Sequence, residues 1–188
     1  MARKKQPQNL WIKISYLFLI FGIFTFTNLY ISDYLTELIR QGLEINNDIF
    51  SINYMQNTGA AFSILKEYPF ILIALAVIAL ISMFAYIIRH AGTMTFNGIF
   101  WFSVLMSGIF CNLYERVVLG YVRDFIYVNI PFATFNIADA CLVVGTIIMA
   151  WYILFIHDKH IAKISVDKVV SENDSTTNDN KTESSDDL

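Results

Sequence analysis

The hydrophobic positions of the chain form four long runs, and the shorter stretches between them hold most of the polar and charged residues. The runs cover residues 10–30, 69–88, 96–114 and 137–156. Each is long enough to cross about 30 Å of hydrocarbon as an α-helix, which rises about 1.5 Å per residue. The pattern therefore predicts an integral membrane protein, mainly α, built as a four-helix transmembrane bundle.

The segment between the first two predicted spans, residues 31–68, is too long to be a simple connector. Its first apolar residues recur at helical spacing, which predicts a short amphipathic helix lying on the membrane. These residues are Tyr34, Leu35, Leu38, Ile39 and Leu43. Residues 50–54 then alternate between apolar and polar, as a half-buried strand does. We expect a small extracytoplasmic β-sheet and a short amphipathic interfacial helix beside the bundle.

Composition agrees with a membrane protein. The chain has 188 residues, of which 56% are hydrophobic, and its mean hydropathy of +0.52 excludes an ordinary soluble domain. The formal net charge of −3 comes from residues 171–188, where six acidic residues face Lys181 alone. This segment is rich in Ser, Asn, Thr and Asp and cannot bury a core, so we predict a disordered acidic tail.

Basic residues predict how the spans are oriented. Eight flank the two termini and the second loop, whereas the first and third loops hold four. Cytoplasmic segments carry the excess of Lys and Arg, so both termini are predicted to be cytoplasmic. Lys13, near the start of the first span, is expected to extend its side chain to the membrane interface.

Two aspartates, Asp124 and Asp139, lie at the edges of apolar segments in a chain with few charges. A carboxylate at membrane depth costs roughly 2.5 to 3.5 kcal/mol on insertion scales, so it marks a functional site by default. The connection between the two includes Pro131 and is short enough to fold back as a hairpin, which allows them to converge. Two converging carboxylates share one proton, one acting as base and the other as acid. That is the chemistry of an aspartic protease in a membrane.

Each polar residue near this pair also has a simpler explanation. Asp124 could be a solvated loop acid paired with Arg123, and Asp139 could be a helix N-terminal acid that interacts with the helix dipole. Asn136 could be a simple N-cap, but it lies three residues before Asp139, so both side chains can face one cavity. For Asn112 and Arg116, which close the third span, anchoring at the interface is the alternative to a polar site.

Other patterns carry less weight. Ser63 and Lys66 match the S-x-x-K pattern of serine acylases, but the companion motifs are absent. Cys111 and Cys141 match neither a metal site nor a disulfide framework, and they are interpreted as small buried hydrophobic residues. The basic residues are too scattered for a face that binds nucleic acid, so no nucleic acid partner is expected.

Four motifs in the same order resemble those of the lipoprotein signal peptidases, also called signal peptidase II. Residues 57–63 resemble that family's N-x-G-A-A-F segment, and residues 107–116 resemble its G-x-x-G-N-L-x-D-R segment. Residues 122–125 match V-x-D-F, and residues 135–139 match F-N-x-A-D. The resemblance covers most of the body, residues 31 to about 145, and not the termini.

The resemblance implies an inner-membrane aspartic endopeptidase that removes the signal peptide of a prolipoprotein just before a diacylglyceryl-modified cysteine. It implies that Asp124 and Asp139 are the catalytic pair, one activating water and the other donating to the developing oxyanion. The residues that it places around the substrate are Asn57, Asn112, Arg116 and Asn136. It implies no metal and no organic cofactor. Membrane lipids and globomycin-type peptide inhibitors are the further partners expected.

The chain departs from the family pattern at four positions. Cys111 stands for a glycine, Glu115 for an aspartate, Ala140 for a serine and Glu37 for a lysine. Two alternatives to an active peptidase therefore stay open: a catalytically inactive, peptidase-like membrane scaffold, and a small proton-coupled transporter.

On the peptidase interpretation the chain has four parts. A basic cytoplasmic N-terminus covers residues 1–9, and the four-span membrane peptidase domain covers residues 10–156. A cytoplasmic basic flank covers residues 157–170, and the disordered acidic tail covers residues 171–188.

Overall fold

The computed structural model describes residues 10–59, 68–129, 133–157 and 165–166. Its long helices are α1 (Leu10–Arg40), α2 (Pro69–His90), α3 (Phe96–Leu119) and α4 (Ile137–Tyr152), and a π-helical turn, Ile153–His157, extends α4. All four are long and apolar enough to cross a membrane, which confirms the predicted four-helix arrangement. The predicted N-terminal and tail segments, Pro131, Ser63, Lys66 and most of the C-terminal flank lie outside the described residues.

A four-stranded antiparallel sheet accompanies the helices. Its strands, in spatial order, are β1 (Ile45–Asn46), β2 (Phe50–Asn57), β3 (Val122–Val128) and β4 (Ala133–Phe135). This confirms the predicted small sheet, and β2 contains the strand expected at residues 50–54. The sheet brings the loop after α1 beside the hairpin between α3 and α4.

The predicted short amphipathic helix is not a separate element, because residues 34–39 continue α1 as far as Arg40. No glycine or proline interrupts the chain between Gly22 and Gly42, so nothing ends the helix earlier. Gly42 adopts a φ of 96°, and the backbone N–H groups of Gly42 and Leu43 donate to the carbonyls of Ile39 and Leu38. At about 1.5 Å per residue, a helix of this length exceeds the hydrocarbon thickness, so its end projects beyond it.

The side chain of Lys13 is directed to the turn between α2 and α3. Its side chain is buried, and its Nζ donates to the carbonyl oxygens of Gly92 at 3.0 Å and Met94 at 2.7 Å. The turn after α2 leaves backbone carbonyls unpaired, and a cation near a helix C-terminus satisfies them favourably. Lys13 therefore ties α1 to the turn between α2 and α3.

Helix α3 lies at the centre of the bundle. In its most apolar stretch 56% of the residues are buried inside the protein, against 6% to 17% in the other three spans. It packs closely on α4 at Gly108, where an added Cβ would lie 2.7 Å from the carbonyl oxygen of Ala138. Asn112 lies one turn further along α3, so this close packing sets its distance from the start of α4.

Candidate active site

The last turns of α3 contact three other parts of the chain. Asn112 Nδ2 donates to Asp139 Oδ1 on α4 at 2.7 Å, and Arg116 Nη2 donates to the carbonyl oxygen of Gly59, just after β2, at 2.9 Å. Glu115 binds Arg123 at the start of β3. Gly120 then caps α3 with a left-handed φ of 84°, which turns the chain back into β3.

Asp124 lies on β3 with only 1% of its surface exposed. Asn57 Nδ2 donates to its Oδ2 at 3.0 Å, and Asn136 Nδ2 donates to its Oδ1 at 3.3 Å. The interpretation of Asp124 as a solvated loop acid paired with Arg123 is therefore wrong. The guanidinium of Arg123 instead pairs with Glu115 and Asp33.

Asn136 connects the two aspartates. Its Oδ1 accepts from the backbone N–H of Asp139 at 2.8 Å, while Asp139 Oδ2 accepts from the backbone N–H of Asn136 at 3.2 Å. This reciprocal cap matches the simple explanation for both residues. The same geometry turns the amide nitrogen of Asn136 toward Asp124 Oδ1 and toward Asn112 Oδ1, the latter at 3.1 Å. The cap therefore also orders the polar cluster.

All four carboxylate oxygens of the pair accept a hydrogen bond from an amide N–H. Burial raises the pKa of Asp124 from 3.8 to about 6. Hydrogen bonds from Asn57 and the Thr134 hydroxyl oppose this rise in pKa, and the nearby charge of Asp139 adds to it. The two carboxylates thus interact, as a pair that shares a proton requires.

A cavity of about 540 Å³ opens beside Asp139. Its polar end is formed by Asn57, Arg116 and Asp139, and most of the rest is apolar. The apolar lining includes Val122, Ala133, Phe135, Leu142, Val143 and Val144. The Nε of Arg116 is buried and has no hydrogen-bond partner among the described residues. The cavity therefore offers polar groups of Asn57, Arg116 and Asp139 at one end and an apolar wall along α4.

Sequence reasoning missed two features of this site. It gave no role to Thr134, whose hydroxyl lowers the pKa of Asp124, because one threonine in a short strand carries no distinctive signal. It also did not pair Glu115 with Arg123. The signal for that pair is their eight-residue separation across Gly120, which becomes visible only once α3 is known to end there.

Ligands for a metal are not grouped in this site. Across residues 10–59, 68–129, 133–157 and 165–166, no three His, Cys, Asp or Glu side chains are arranged to hold an ion.

The fold and the site together define a class of protein: a multi-span membrane protein with two interacting carboxylates beside an apolar groove. Residues 10–155 match the family model described as signal peptidase (SPase) II. The chain belongs to the signal peptidase II family, whose members are proteases. The resemblance noted in the four sequence motifs is thereby confirmed.

Individual relatives agree with this assignment. The chain is 36% identical over 149 residues to the lipoprotein signal peptidase of Clostridium novyi (strain NT), covering 73% of this chain and 95% of that protein. It is 43% identical over 132 residues to the lipoprotein signal peptidase of Dehalococcoides mccartyi (strain CBDB1), covering 68% and 81%. A bacterial membrane enzyme structure determined by the in meso method at 2.3 Å is similar with a TM-score of 0.64 and 27% identity, covering 75% and 88%.

Proposed function

We propose that this chain is an aspartic endopeptidase that removes the signal peptide from diacylglyceryl-modified prolipoproteins by cutting just before the lipidated cysteine. The observation that carries the proposal is the pairing of Asp124 and Asp139 through Asn136 at the polar end of an apolar cavity. Family membership supplies the substrate class.

In this mechanism the two carboxylates act on a water molecule and a peptide carbonyl. The ionised carboxylate takes a proton from water as its oxygen attacks the carbonyl carbon, and the protonated partner donates to the carbonyl oxygen. When the C–N bond breaks, the first carboxyl gives its proton to the leaving nitrogen. A hydroxyl of the tetrahedral intermediate returns a proton to the second carboxylate, so the pair ends as it began.

The remaining polar residues have two roles in this proposal. Asn57, Asn112 and Asn136 donate to the carboxylates and hold them in place. Asn57 and Arg116 also line the cavity, where they contact the substrate. The apolar wall along α4 takes apolar parts of the signal peptide or the acyl chains. Globomycin-type peptides and membrane lipids would bind in the same groove.

Clustering of the carboxylates at one end of the bundle argues against a proton-coupled transporter, which needs polar groups along the path across the membrane. The intact hydrogen bonding of the pair argues against a drifted scaffold. The proposal places the protein in the bacterial inner membrane, with both termini in the cytoplasm and the aspartates toward the extracytoplasmic face.

Cleavage of a synthetic diacylglyceryl-modified prolipoprotein in liposomes tests this proposal. Wild type and Asp139→Asn are compared, with Asp48→Asn, an exposed aspartate outside the site, as the matched control. Mass spectrometry should show a product that begins at the lipidated cysteine for wild type and for the control, and none for Asp139→Asn. No cleavage by folded wild type would favour the inactive scaffold, and substantial cleavage by Asp139→Asn would exclude the aspartate pair.

A further inference from the structure

The carboxylate of Glu115 holds both the backbone and the side chain of Arg123. Its Oε2 accepts from the backbone N–H of Arg123 at 2.8 Å, and its Oε1 accepts from Nε at 2.9 Å and from Nη2 at 2.7 Å. The two side chains are only 10% and 5% exposed. Arg123 Nη1 also donates to Asp33 on α1 at 2.7 Å. The network thus joins α3, β3 and α1.

The position of this network gives it a consequence for the aspartate pair. Arg123 directly precedes Asp124, so a movement of its backbone amide moves the Asp124 carboxylate as well. Glu115 and Asn112 are three residues apart on α3 and share a face of that helix. Asn112 holds Asp139, and Glu115 holds the chain next to Asp124. One face of α3 is therefore connected to both carboxylates.

We infer that Glu115 and Arg123 form a positioning pair that sets the separation and orientation of Asp124 relative to Asp139, with Asp33 completing the pair from α1. The inference rests on the proposed function, since it assigns these residues an effect on the aspartate pair. Neither side chain lines the cavity beside Asp139, so neither is a catalytic residue. Arg123 belongs to this chain's own version of the V-x-D-F motif, where it fills the variable position.

Stability alone is the competing explanation for the pair. Two buried charges lose their hydration, and replacing both by uncharged residues of similar size is often neutral or stabilising. Removing one charge alone leaves the other buried and unpaired, which destabilises the fold strongly. Variants that neutralise both residues together therefore separate positioning from folding.

The test uses the full-length protein with Glu115→Gln and Arg123→Met combined. The glutamine keeps an acceptor for the backbone N–H of residue 123. No buried charge is left unpaired, because Asp33, which also loses its partner, has a side chain that is 74% exposed. We expect a melting temperature within a few degrees of wild type, a KM within about twofold, and a kcat lower by roughly tenfold or more, because misplaced reacting groups cost rate steeply. The matched control combines Glu37→Gln and Arg40→Met, an exposed ion pair on α1, and should keep wild-type kcat.

Asp124→Asn is measured beside these variants so that failure of the positioning pair can be distinguished from failure of the proposed function. Wild-type kcat in the Glu115→Gln, Arg123→Met protein, with Asp124→Asn inactive, overturns the positioning pair and leaves the proposed function standing. Activity in Asp124→Asn overturns the proposed function itself. If the double variant does not fold, Arg123→Lys provides the test, because it keeps the charge but not the forked contacts of the guanidinium. Its kcat should fall several-fold at constant KM. A wild-type kcat would overturn the inference.

Discussion

Asn136 caps α4 with the oxygen of its side-chain amide and donates to Asn112 and Asp124 with the nitrogen of the same amide. Both hydrogens of that nitrogen are used, and its oxygen is used by the backbone of Asp139. A single side chain therefore fixes the start of a helix and the position of a buried carboxylate. Few other side chains have the donors and acceptor that this requires.

Replacing Asn136 should separate its two roles. Serine is also a good N-cap but has no amide to donate to Asp124, whereas alanine removes both functions. We predict that Asn136→Ser keeps nearly wild-type stability and loses most cleavage activity. Asn136→Ala should lose activity and also about 1 kcal/mol of folding free energy. Thermal unfolding and cleavage rates, measured on the same preparations, check this. Full activity in Asn136→Ser would contradict the bridging role.

The raised pKa of Asp124 predicts a pH dependence of stability. Folding raises this pKa from 3.8 to about 6, so the folded protein binds the proton more tightly than the unfolded chain does. The contribution of Asp124 to stability is therefore full at low pH and declines as the pH rises through about 6. Asp124→Asn lacks this contribution. Its melting temperature minus that of wild type should be more positive at pH 8 than at pH 4.5.

Asp48→Asn controls for the change in net charge in this experiment, since Asp48 is exposed and lies outside the site. The wild-type protein and both variants are unfolded in the same detergent at each pH. The raised pKa of the buried carboxylate would be contradicted if the melting temperature of Asp124→Asn minus that of wild type stayed constant with pH. It would also be contradicted if this difference became more negative from pH 4.5 to pH 8.

Among the secondary-structure elements, the site depends on the close packing of α3 on α4. A Cβ on Gly108 would meet the carbonyl oxygen of Ala138 at 2.7 Å and Leu142 Cγ at 3.1 Å. Because the nearest atom belongs to the backbone of α4, a side chain at position 108 can be accommodated only if α3 and α4 move apart. Because Asn112 holds Asp139 one turn away at 2.7 Å, a wider helix spacing would loosen this contact too.

Gly108→Ala should therefore lower both stability and cleavage rate. Gly22→Ala is the matched control, because Gly22 lies in α1 with nothing within 4 Å of an added Cβ. Alanine is the better helix former, so the control should be stabilised by up to about 1 kcal/mol and keep its activity. Thermal unfolding and cleavage assays in detergent measure both effects. Equal behaviour of the two variants would mean that helix spacing does not limit the site.

The four helices were predictable from sequence, but the pairing of the strands and the full length of α1 were not. Four apolar runs of 19 residues or more predict four spans whatever surrounds them, and the predicted starts at residues 10, 69, 96 and 137 all coincide with the observed ones. The sheet is different, because pairing Met55 with Asp124 joins residues far apart in the chain. Local alternation indicated β2 but gave no sign that β3 is its neighbour. Helical spacing likewise found residues 34–39 but not their continuity with α1.

The residues of the candidate site were predictable from sequence, but the contacts between them were not. Asp124, Asp139, Asn57, Asn112, Arg116 and Asn136 were all singled out from sequence, and the structure gathers them at one end of the bundle. The alternative that paired Arg123 with Asp124 on sequence proximity is wrong, because Arg123 pairs with Glu115 and Asp33. In an antiparallel strand successive side chains point to opposite faces, so neighbours in sequence seldom pair.

Membrane orientation is the prediction that belongs to the whole molecule. A single cysteine at position 48, introduced as Asp48→Cys, reports on the loop between β1 and β2, and one introduced as Ser185→Cys reports on the tail. Both are made with Cys111→Ala and Cys141→Ala. In intact cells a membrane-impermeant maleimide should label the first variant and not the second, because the basic flanks stay in the cytoplasm. The reverse labelling would place the site on the cytoplasmic face.

The central claim is that the two aspartates act as one acid–base unit. The most direct measurement is the single-turnover rate of cleavage of a diacylglyceryl-modified prolipoprotein by wild type, Asp124→Asn, Asp139→Asn and the variant with both changes. Groups that act as a unit are strongly non-additive, so each single variant should be as inactive as the double variant. Folded single variants that keep substantial activity, with losses that simply multiply in the double variant, would contradict the claim.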